Sequence, residues 1–158
     1  MFSGLLGLHS LLRWVMIIFL VINIIRVNVE ADEEFDAADK KWSLRLLITT
    51  HINLVIGLLQ YFFGDNGLQR VFSENYTMKD VMKSSGLRFW IIEHPTTMVL
   101  AVVLITISHL TSKKTGTPLR KHRVMSILYI LALLVIVAGV PWPFRNLEIA
   151  RPWFRALY

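Results

Sequence analysis

Four apolar runs, each long enough to cross about 30 Å of hydrocarbon at about 1.5 Å per residue, fill most of this 158-residue chain. They extend roughly from Leu5 to Val27, Leu44 to Phe63, Phe89 to Leu110 and Val124 to Val140. In lipid a helix satisfies its own backbone hydrogen bonds, whereas a strand has to close into a barrel. The runs therefore predict an all-α fold, a polytopic transmembrane four-helix bundle forming one domain over residues 1–158. The connecting segments are too short to enclose a second hydrophobic core. A separate soluble catalytic domain is excluded, and any chemistry belongs in the bilayer or at its edge.

The chain has no cysteine, which removes disulfides, thiolate-held iron–sulfur clusters and covalent c-type haem attachment together. Histidine, methionine and carboxylates remain as candidate ligands. The net charge of +6 comes from bases that flank the apolar runs, so lipid head groups and topology account for it and nucleic acid is not an expected partner. The opening MFSGLLGLHSLLRWV carries Arg13 inside its apolar stretch and no basic region ahead of it. It reads as a retained helix and not as a cleaved signal.

Lys113, Lys114, Arg120, Lys121 and Arg123 crowd the third loop without an acid, and Arg26, Lys40, Lys41 and Arg45 flank the first. Both loops are expected on the cytoplasmic face, with the termini opposite, although that face also carries bases, Arg155 among them. Trp42, Trp90, Trp142 and Trp153 fall near or beyond the span ends, where an indole prefers the interface. The stretch EADEEFDAADKK reads as a hydrated helical lead-in with Phe35, Ala38 and Trp42 on one face. In the central loop, Asp65, Asn66 and Gly67 predict a turn. Thr77 is the expected cap of a short interfacial helix with Met78, Val81 and Met82 on its apolar face.

The histidines carry the chemistry, because an imidazole at membrane depth is costly unless bonded or ligating. Depth sorts them into an outer pair, His9 with His94, and an inner pair, His51 with His109. Facing imidazoles on two helices suit the axial positions of a haem, whose porphyrin supplies the other four nitrogens. His94 and His109 are fifteen residues apart, about 22 Å along an ideal helix and roughly 60° around it, which permits two stacked haems. Arg13, one turn from His9, is positioned either to pair with a propionate or to snorkel outward. Pro95 either frees the carbonyl of Ile91 and bends span three or, at a first turn, starts the membrane part; both readings fix where His94 points. Span two is in conflict with itself: Asn53, Gly57, Gln60 and Gly64 form one stripe, and His51 runs with Leu54, Val55, Leu58 and Phe62 roughly opposite. His122 is an alternative inner ligand, although its RKHR setting reads as a solvated loop.

The segments LHSLLRW, TTHINLVIGLLQYF, EHPTTM, ISHL with KHR, and GVPWPF together resemble a family of small bacterial four-helix membrane proteins labelled cytochrome b-like. The resemblance covers nearly the whole chain. It implies one or two b-type haems held by His9, His51 and His94, with His109 as a further candidate and Arg13 close by, in the bacterial inner membrane, where the charge pattern above sets the termini on the periplasmic side. It also implies electron transfer, with quinol or a redox partner protein as the exchange partner. A reading from another class is a cofactor-free accessory subunit of a larger membrane complex, with the histidines in interhelical hydrogen bonds. A transporter is the third, weakened by the lack of an inverted repeat or a charged path through span four.

Overall fold

The computed structural model describes residues 2–29 and 33–154, which hold helices and turns and no strand. Residues 30–32 of the acidic lead-in and Arg155 lie outside the described residues. Two long helices come first, α1 (Phe2–Val29) and α2 (Ala37–Phe63). Three short ones follow: α3 (Leu68–Ser73), α4 (Met78–Lys83) and α5 (Ser85–Arg88). A π-helical turn, Phe89–Glu93, then leads into α6 (His94–Ser112), and α7 (Pro118–Gly139) completes the set.

The four long elements form a ring in which α1 packs beside α2 and α7, and α6 packs beside α2 and α7. Helices α1 and α6 thus face each other across the diagonal. Met16, Leu20, Leu46, Ile105, Met125 and Ile136 are buried at the centre. Ile18, Ile25, Ile52, Val55, Ile127 and Leu134 project outward and are exposed. Large aliphatic side chains displayed on every long helix would be untenable in water and are at home in lipid. All four helices are long and apolar enough to cross a membrane, and the chain is a multi-pass membrane protein.

The helices run past the apolar limits read from sequence because polar turns extend them. Asp36 caps α2 in a reciprocal box with Asp39, and Asp39 also takes a 2.7 Å ion pair from Arg26 of α1. Pro118 occupies the first turn of α7, where its missing N–H costs nothing. Phe35 packs against the main core, and Trp42 meets Phe19 edge-on at 5.6 Å.

Between α2 and α6 the chain builds a small cap over one end of the bundle, with its own core of Val71, Val81, Leu87 and Ile91. Thr77 caps α4 as its sequence requires, in a box with Asp80. Of the expected apolar face, Val81 is buried while Met78 and Met82 remain exposed. Helix α3 had no counterpart in the sequence reading.

Candidate functional site at the paired histidines

The π-helical turn Phe89–Glu93 sets the site, since one extra residue in a turn rotates everything after it relative to the preceding helix. Its closing bond runs from the His94 N–H to the Phe89 carbonyl. Pro95 next in line has no N–H to give the Ile91 carbonyl, and the Tyr61 hydroxyl of α2 donates to that oxygen instead at 3.2 Å. Two consecutive breaks in the helical ladder thus point the His94 ring into the bundle. There it packs against Phe89 and Trp90, both at 5.7 Å between ring centres.

Across the diagonal, α1 presents His9, and the two imidazoles stand edge to face with centroids 6.4 Å apart. Glycine makes room for both. A Cβ at Gly57 would approach the His9 ring to 3.2 Å, so a side chain there would push that ring by a few tenths of an ångström. At Gly139 a Cβ would strike Thr97 and Met98, so α6 and α7 come close at that level. This approach brings the Gly139 carbonyl to 2.8 Å from Nδ1 of His94. A carbonyl only accepts, so Nδ1 carries the proton and Nε2 keeps its lone pair, the tautomer of a ligating histidine steadied by a second partner.

A cavity of about 170 Å³ adjoins the two rings. It is lined by Leu58 and Val99, which are exposed on the bundle surface, so it opens toward lipid between α2 and α6. Four polar atoms buried in its walls have no hydrogen-bond partner: His9 Nδ1, Arg13 Nε, Thr50 Oγ1 and Asn53 Oδ1. Each such atom costs about 1–3 kcal/mol if left unsatisfied, and Ser108 Oγ and His122 Nδ1 stand likewise at the other end of the bundle. Arg13 lines the same cavity, but its Nη2 donates to the Trp153 carbonyl at 2.9 Å and to Ser10 at 3.3 Å.

The C-terminal segment was read from sequence as interfacial anchoring, and in the structure it also closes the site. Trp14 donates its indole N–H to the Trp153 carbonyl, and Trp142 and Trp153 pack on each other at 5.5 Å. Pro141, Arg151 and Pro152 reach the cavity wall. No spacing rule in the sequence joins residue 14 to residue 153; only the aromatic composition of both segments hinted at it.

At the opposite end the remaining histidines are placed differently. His109 is buried, and its Nδ1 is hydrogen-bonded at 2.8 Å to the Ser43 hydroxyl, which also meets the Tyr129 hydroxyl at 3.1 Å. His51 is exposed and donates from Nδ1 to the Leu47 carbonyl of its own helix. It lies eight residues beyond Ser43, about 12 Å along α2, so the structure does not bring His51 and His109 together. The two stripes of α2 are thereby resolved: the one with Asn53 faces the bundle and the one with His51 faces outward. His122, expected in a solvated loop, is fully buried against Phe35 and donates from Nε2 to the Glu33 carbonyl. Glu93 is exposed in a 2.7 Å ion pair with Arg88.

Among the described residues no group of three histidines or carboxylates is placed to hold a metal ion by itself. Comparison with family profiles, curated proteins and solved structures finds no match to this chain.

Proposed function

We propose that this chain is a membrane-embedded b-type haem protein, in which His9 and His94 would hold one haem. The supporting observation is the pairing itself: two imidazoles from diagonal helices, one with Nε2 left free by the Gly139 carbonyl, beside a cavity with four unpartnered polar atoms in its wall. Two protein ligands suffice because the porphyrin brings the other four. The cavity, at about 170 Å³, is smaller than a porphyrin, so haem would need the opening toward lipid as well. Bound there, haem supplies one-electron transfer.

The chain's own residues do the rest. Gly139 fixes the His94 tautomer, and Gly57 gives the His9 ring its space. The π-turn aims one ligand, and the tail with Trp153 shields the end of the site from water. Quinol or a small redox protein is the exchange partner of this reading, and the bacterial inner membrane is its setting. The second haem has no support in the placement of His51 and His109, so the reading is narrowed to one.

A reduced-minus-oxidised visible spectrum of the chain purified from haem-replete cells tests it. The expected result is a b-type α band that disappears in His94→Ala and in His9→Ala and persists in His109→Ala. A wild-type protein without the band overturns the reading. If other subunits then co-purify, the accessory-subunit reading takes its place.

A further inference from the structure

The two arginines of α1 are treated in opposite ways. Arg26 meets Asp39 at 2.7 Å and Asp36 at 3.6 Å, so its charge is neutralised. Arg13 has neutral partners: its Nη2 donates to the Trp153 carbonyl and the Ser10 hydroxyl, and its guanidinium stands 5.4 Å from the Trp14 ring centre. Among the described residues no carboxylate lies within ion-pair distance of it. Its Nε is buried in the cavity wall without a partner. A guanidinium keeps its proton in proteins, so the charge is present and uncompensated.

That charge belongs to the histidine site. Arg13 follows His9 by one helical turn on the same face of α1, and it lines the cavity beside both rings. The other charged groups in the cavity wall are Asp65 and Arg151. Asp65 is exposed in the turn after α2, eight residues past Gly57, which is the α2 residue beside the His9 ring. Water and salt screen a carboxylate in that position. Arg151 is held over the Trp90 ring at 4.7 Å. Glu93, next to His94, is exposed and paired with Arg88.

We propose that Arg13 sets the redox potential of this site, as a fixed positive charge that favours the electron-rich state of a bound haem. The proposal rests on the haem reading above and concerns how the chain tunes the group, whichever residues hold it. One electron added beside a fixed cation is stabilised by it, the more so where the dielectric is low. A unit charge about 10 Å away at an effective dielectric of about 20 shifts such an equilibrium roughly tenfold to twentyfold. The C-terminal segment keeps the charge in place, because the Trp153 carbonyl that takes Nη2 is itself held by the indole N–H of Trp14.

A redox titration of the α band in the purified full chain reads the potential. Arg13→Gln is expected to weaken reduction roughly tenfold to twentyfold, a fall of about 59 mV for each tenfold. Arg13→Lys keeps the charge and should hold the wild-type value, and Lys113→Gln, an exposed charge at the other end, should do the same. Circular dichroism confirms that each variant is folded. An unchanged potential in Arg13→Gln, or an equal fall in Arg13→Gln and Arg13→Lys, would overturn the proposal and leave the haem reading standing. Loss of the band in Arg13→Gln would assign the residue to holding the group and overturn the proposal as well. A wild-type chain without the band removes the haem reading and this proposal together.

Discussion

The two ends of the bundle use the same residue type to opposite effect. Near the chain termini, His9 and His94 face each other beside a cavity, and four buried polar atoms there lack partners. At the other end His109, Ser43 and Tyr129 bond to one another, with Arg26 and Asp39 paired nearby. Both ends bury polar groups among apolar helices. Unpartnered buried atoms occur at both ends, since Ser108 Oγ and His122 Nδ1 lack partners beside the His109 network; what separates the ends is the cavity, which adjoins His9 and His94 only.

The comparison breaks most sharply on single histidines. His94→Ala is expected to abolish the haem band, whereas His109→Ala should leave it and instead lower the unfolding midpoint; loss of the band in both would erase the distinction. Next in size is Asp39→Ala, which strips Arg26 of its buried partner and α2 of its capping box. A loss of about 2–4 kcal/mol is expected in denaturant titration, with the band retained. Tyr129→Phe removes one interhelical bond and should cost about 0.6–1.7 kcal/mol by the same measurement, the scale found for such bonds within membranes.

A smaller effect belongs to pH. The Ser85 hydroxyl and the Gly86 N–H hold the Glu148 carboxyl below its ordinary value of 4.5, so the contact between tail and cap is intact above that value. It is lost as pH falls through the depressed folded value, because protonation removes the acceptor that these donors require. Trp90 fluorescence should therefore shift on acidification below about pH 4.5, and Glu148→Gln should remove the transition. The smallest effect is expected for His51→Leu, within about 0.5 kcal/mol in stability and with no spectral change, since its ring bonds only its own helix and faces outward.

Much of this architecture is legible in the chain. Four apolar runs dictate four spans, because backbone polar groups in lipid have few other solutions. Thr77 marks a helix start, and Pro95 marks either a freed Ile91 carbonyl or a first helical turn. Matched depth was enough to single out His9 with His94, since rise per residue is a local property. The same depth reasoning failed for His51 because depth says nothing about facing, and a helix with two conflicting stripes can turn either one to its neighbours.

What the tertiary structure alone decided is partnership. That Tyr61 takes the Ile91 carbonyl, that Gly139 fixes the His94 tautomer, that His122 is buried, and that Trp153 closes over Trp14 all join residues from separate elements. The sequence determines which groups need partners, through burial and the chemistry of each side chain. Only packing decides who supplies them, because hydrogen bonds reach about 3 Å and nothing in the linear order specifies which helices approach that closely.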